Sequence, residues 1–113
     1  MKIIIETDSE TAANNLRSRI IKDITDLKHQ TWRFHSRAPE GHDRIFHETA
    51  QFPDPINKEK NVIFRIYTVG DKVILKTSYW NGNPEPSQEM FALHTGRLVE
   101  LLMGHYTKKL RIE

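Results

Sequence analysis

The chain has 113 residues, 37% hydrophobic and 28% charged, with 17 Lys plus Arg against 15 Asp plus Glu and a formal net charge of +2. A chain of this length buries roughly two thirds of the surface its unfolded form exposes, enough for one core, so residues 1–113 are read as one domain without room for a large cofactor cavity. The absence of cysteine excludes disulfides, thiolate metal sites, iron–sulfur clusters and cysteine nucleophiles, and the near balance of charge along most of the chain argues against a broad footprint for duplex DNA.

Lys2 to Glu6 is a short apolar run that suits a central strand covered on both faces. It is far shorter than a signal-peptide core or a membrane span of about 20 residues, so a cytoplasmic protein without a membrane partner is expected. Thr7 and Glu10 have the spacing of a capping box, and Asp8 adds negative charge near the positive helix end. A helix over about residues 9 to 28 is predicted, with Ala13, Leu16, Ile20, Ile24 and Leu27 on its apolar stripe. Trp32 to Arg37 alternates with the period of a half-buried strand, and Ala38-Pro39-Glu40-Gly41 supplies turn chemistry before a returning strand at 43–49. Residues 51–60, with Pro53, Pro55 and Asn57, read as an exposed loop.

Asn61 to Trp80 holds two apolar runs split by Val69-Gly70-Asp71-Lys72, where Gly-Asp fits a two-residue hairpin turn. Pairing Val69 with Lys72 sets Ile66 opposite Leu75, Phe64 opposite Thr77 and Val62 opposite Tyr79 on one face. The other face then carries Tyr67 opposite Ile74, Arg65 opposite Lys76 and Ile63 opposite Ser78, with Trp80 at its end. After the breaker-rich Asn81 to Pro86, Ser87 caps a second helix that buries Phe91, His94, Leu98, Leu101 and Leu102 and stops at Gly104. Tyr106 to Ile112 alternates as a last strand. The order β-α-β-β-β-β-α-β predicts an α+β fold, a mainly antiparallel sheet with two helices packed on one face in the ferredoxin-like style with an extra strand.

Four of the six histidines fall between 29 and 48, interleaved with Arg33, Arg37 and Arg44. Pairing Phe34 with Phe46 puts Arg33, His35, Arg37, Ile45 and His47 on one face, with Trp32, Phe34 and Phe46 toward the core. Two imidazoles beside a guanidinium supply the base, acid and charge stabilisation of a metal-independent nuclease; a solvent face rich in histidine accounts for the same pattern. His29-Gln30-Thr31 and His47-Glu48-Thr49 both show the H-x-T triplet of two-histidine phosphoesterases, but so short a pattern is set aside as coincidence, since the first begins at a helix end. His42 and His47 are five residues apart and point to opposite faces of an extended strand, so no metal site is assigned. His94 on the second helix is read as a core histidine.

The outer face of the hairpin carries Arg65, Tyr67, Ile74, Lys76 and Trp80, with Lys109 and Arg111 able to join it. Aromatic planes beside cations hold single-stranded bases on sheet platforms. The same face reads as an apolar patch that two helices are too few to cover, which calls for a second copy of the chain or another protein. The expectation is a small non-catalytic binding module without a cofactor, homodimeric through Arg65, Tyr67, Ile74, Lys76 and Trp80. The alternatives are a single-stranded nucleic-acid platform on those residues and a nuclease using His35 and His47 with Arg33 or Arg37.

Overall fold

The computed structural model describes residues 1–37, 42–48, 62–80 and 84–113. The expected turn at 38–41, the loop at 51–60 and the start of the Asn81 to Pro86 segment fall outside these. Along the chain, β1 (Lys2–Glu6) is followed by α1 (Glu10–Thr25), β2 (Trp32–Arg37), β3 (His42–His47), β4 (Val62–Val69), β5 (Lys72–Tyr79), α2 (Gln88–His105) and β6 (Arg111–Ile112). The fold is α+β in the predicted element order. The six strands form one sheet in the order β2-β3-β4-β5-β1-β6, and every neighbouring pair is antiparallel. α1 carries the chain from β1, between β5 and β6, to β2 at the far edge.

Both helices cover the same side of the sheet. Ala13, Ile20 and Ile24 of α1 and Leu98, Leu101 and Leu102 of α2 pack with Ile3, Ile5, Trp32, Ile45, Val62, Phe64, Ile66, Val73 and Leu75 in one buried cluster. Phe64 and Leu75 are fully enclosed at its centre. The register of β4 against β5 matches the expectation at every pair named above, and Gly70, at φ +58°, takes the left-handed conformation its turn requires.

Helix ends differ from the sequence reading. The N-cap of α1 is Ser9, whose Oγ accepts from the Ala12 N–H at 3.0 Å, while Thr7 donates its hydroxyl to the Asp71 carbonyl at 2.7 Å and ties the helix entry to the β4–β5 turn. α1 stops at Thr25 because Leu27 is left-handed, at φ +60°. The Leu27 N–H donates to the Ile24 carbonyl and the Lys28 N–H to the Asp23 carbonyl, the double bond of a Schellman ending, here built on a side chain where glycine is usual. At α2, Ser87 caps as expected, its Oγ accepting from the Met90 N–H, but the helix runs through Gly104 to His105. The last strand shrinks to Arg111–Ile112.

The register of β2 against β3 is one residue from the expected one: Trp32 opposes His47, Arg33 opposes Phe46 and Phe34 opposes Ile45. Ile45 and Phe46 are adjacent and both apolar, so the pattern there does not say which of them faces the helices. Ile45 takes the core position, and Phe46 joins Ile63 and Trp80 in a second buried cluster on the opposite side of the sheet. A slip of one residue turns every side chain of the strand over.

Candidate functional site

The side of the sheet away from the helices is built by alternate residues of all six strands. His35 opposes Arg44, Arg44 opposes Arg65, Arg65 opposes Lys76, and Lys76 opposes Lys2. Four cations thus stand in one row across β3, β4, β5 and β1, about 14 Å end to end at the usual strand spacing. Like charges directly opposite one another destabilise a sheet, and the described carboxylates nearest the row are engaged elsewhere. Glu6 is held by Arg111 at 2.5 Å, and Glu48 lies 3.8 Å from Arg33. Arg65, Lys76 and Lys2 form no ion pair with any described residue. The Arg65 Nε is buried and makes no hydrogen bond with any described residue.

The expected contact residues divide between surface and interior. Lys76 is exposed, and Arg65 and Tyr67 are partly so. Ile63, Ile74 and Trp80 are only 2%, 8% and 6% exposed. The expectation of a bare apolar patch is therefore corrected. Trp80 packs edge-on to Phe46 with centroids 5.5 Å apart, lies 5.8 Å from the His35 ring, and has the Arg44 guanidinium 5.6 Å from its centroid. Arg44, 6% exposed, thereby spends its planar face on the indole. What remains accessible along this side includes Lys76, Lys2 and part of Arg65, with Tyr67 as a partly exposed aromatic and Glu6, Glu48 and Val69 toward the strand ends. Lys109 is exposed near the chain end, and Arg111 joins the open side opposite Ile4.

The histidines are distributed differently from the expectation. His47 lies on the helix side, its ring 5.5 Å from Trp32 and 6.2 Å from the fully buried His94. Arg33 and His35 lie on the open side, so the sheet itself separates His35 from His47, and the pair expected for a nuclease does not form. Arg37 opposes His42 at the end of the β2–β3 ladder. The two H-x-T triplets do converge, since His29, Thr31 and His47 line one cavity together with Arg97, Glu100 and His105 of α2; Thr49 lies outside the described residues.

Sequence reasoning missed this cavity. His29 Nε2 lies 2.6 Å from the Tyr106 hydroxyl, which donates to Asp23 Oδ2 at 2.8 Å, and the His29 and His105 rings are 4.6 Å apart. Burial, and secondarily the neighbouring His105, hold the His29 imidazole below its ordinary range. Burial and the bond to Asp23 push the Tyr106 phenol well above its usual value. The Tyr106 hydroxyl in turn keeps the Asp23 carboxyl below the usual carboxylate range, against an opposing effect of desolvation.

Among the described residues no helix is long and apolar enough to cross a membrane, and no group of three or more His, Asp or Glu is placed to hold a metal ion. Compared with protein-family models, curated proteins and solved structures, the chain matches none.

Proposed function

We propose that this chain is a small cytoplasmic module that binds single-stranded nucleic acid along the open side of its sheet. The observation that carries the reading is the accessible row Arg65, Lys76 and Lys2, whose members oppose one another across three strands and form no ion pair with any described residue. Such a row costs stability in the free protein, and a polyanion laid across it turns that repulsion into attraction. Tyr67, one position along β4 from the Arg65–Lys76 pair on the same side, supplies a partly exposed ring for a base to stack on. Trp80 and Arg44 act beneath this surface, the indole holding the guanidinium in place.

Self-association through this side is disfavoured by the same geometry. Of its apolar residues Ile4, Phe46, Ile63, Ile74 and Trp80 are already buried within one chain and Val69 alone among the described ones is exposed, and two copies face to face would bring their cations together.

The test is fluorescence anisotropy of a labelled oligouridylate titrated with protein at increasing salt. Each phosphate neutralised on a single strand lowers the logarithm of the affinity by about 0.7 per tenfold rise in salt, so three contacts give a slope of about −2. A duplex of the same length should bind no more tightly than the strand. Absence of binding at low salt, or binding indifferent to salt, refutes the reading, as would light scattering that finds a dimer whose interface blocks the oligomer.

A further inference from the structure

The cavity between the end of α1 and the last turns of α2 lies on the helix side, away from the cationic row. Its volume is about 340 Å³, at the lower end of the range that holds small ligands. Its ionisable lining is three imidazoles, one guanidinium and one carboxylate: His29, His47, His105, Arg97 and Glu100. Arg97, Glu100, Leu101 and His105 recur at helical spacing and so present one face of α2, while His29 and Thr31 come from the connection between α1 and β2.

His29 is held in a defined state. The single proton of the Tyr106 hydroxyl goes to Asp23, so toward His29 the hydroxyl oxygen accepts, and Nε2 must carry the imidazole proton of that bond. Nδ1 is then the nitrogen left for a ligand, as a lone pair in the neutral ring and as a donor in the protonated one. Beside it stands His105 at 4.6 Å, so two protonated rings would repel. An anion between them would offset that repulsion. The other charged groups around the pair are Lys28, which bonds Asp23 at 3.3 Å, Arg19, whose guanidinium carbon lies 5.1 Å from the Tyr106 centroid, and His47 with His94 behind it.

We propose that this cavity binds a phosphate ester, with Thr31, Arg97, His105 and the protonated form of His29 as donors to its oxygens. Donors arriving from two separate segments suit a tetrahedral oxyanion, and the guanidinium has the fork geometry that phosphate takes. Among the described lining residues the opposing charge is Glu100, which is exposed. Trp32 and Leu101 supply the apolar wall for the organic part of the ligand.

The experiment titrates the intact protein with inorganic phosphate, AMP and ribose 5-phosphate, following the imidazole resonances by NMR. Phosphate should shift His29 and His105 but leave His35, on the other side of the sheet, unmoved. His105→Ala and His29→Gln should each weaken AMP binding by at least about tenfold, the loss expected for one charge-assisted hydrogen bond. Glu100→Gln should tighten it severalfold, a gain that damage to the fold does not produce. A 5′-phosphorylated oligouridylate that outcompetes its unphosphorylated form for the cavity identifies a strand end as the source of the phosphate; equal competition identifies a small ester. Imidazole resonances unmoved by millimolar phosphate and AMP, or an unchanged affinity in Glu100→Gln, overturns the proposal. It stands apart from the sheet reading: Lys76→Glu should leave AMP binding intact, and His105→Ala should leave the salt-dependent strand binding intact.

Discussion

Reversing one charge in the cationic row separates the demands of folding from those of binding. Lys76 is exposed, forms no ion pair with any described residue, and stands between Arg65 and Lys2 on the neighbouring strands. In Lys76→Glu both repulsive cross-strand pairs become attractive. Such pairs are worth about 0.2–1 kcal/mol, and solvent screening at an exposed position argues for the low end. Taking about 0.3 kcal/mol for each repulsion relieved and each attraction made, two pairs give a gain of about 1 kcal/mol. For a domain of this size that raises the melting temperature by about 4 °C. The same change removes one phosphate contact and places a carboxylate beside the strand, so oligouridylate affinity at low salt should fall by about tenfold or more and the salt slope should flatten by about 1. Urea unfolding followed by tryptophan fluorescence reads the first effect and anisotropy reads the second, with Lys76→Gln expected midway in both. A variant that is less stable than wild type shows that the row does not repel itself. A variant that binds the oligomer as wild type does removes the row from the binding surface.

Leu27 keeps a left-handed backbone at 57% exposure, so Leu27→Gly gives up little packing while relieving a conformation that costs a side-chain-bearing residue about 1–2 kcal/mol. After the extra freedom of glycine in the unfolded chain is subtracted, a net gain of about 0.5–1 kcal/mol is expected in urea unfolding; a loss would show that the Leu27 side chain carries packing of its own. The His29 imidazole, held below 6.5, binds fewer protons folded than unfolded, so stability should rise as pH climbs from its folded value to about 6.5 and then level off. Tyr106, held above 10, has the opposite sense. The unfolded phenol ionises first, so stability should fall as pH passes 10. Unfolding midpoints across pH should lose the first rise in His29→Gln and the second fall in Tyr106→Phe; unchanged profiles in both variants contradict the assigned cluster.

The parts of this molecule that were legible in its sequence are those set by local chemistry. Gly70-Asp71 determines a turn, the turn determines the β4–β5 register, and that register places Arg65 opposite Lys76. The β2–β3 ladder was not legible in the same way. Its connection is longer, and Ile45 beside Phe46 satisfies either facing. Burial on the open side was also hidden, because covering Ile63, Ile74 and Trp80 is a matter of tertiary packing, to which alternation is blind. The cavity is the extreme case. His29 and Tyr106 are 77 residues apart, and no periodicity links them. The available signals were the H-x-T triplets, whose histidines do meet across the cavity, and the number of histidines in so short a chain. For the N-cap of α1, Thr7 and Ser9 are both capable residues; Thr7 is taken up by the Asp71 carbonyl, which leaves Ser9 to cap.

The two margins of the sheet bear on how the molecule behaves when concentrated. One outermost strand, β6, is two residues long, with its Arg111 clasped by Glu6 and Glu113. The other, β2, carries Arg33, His35 and Arg37 at alternate positions. Charge along an outer strand is one device by which natural sheets refuse further strands, and at β2 it opposes the docking of another backbone.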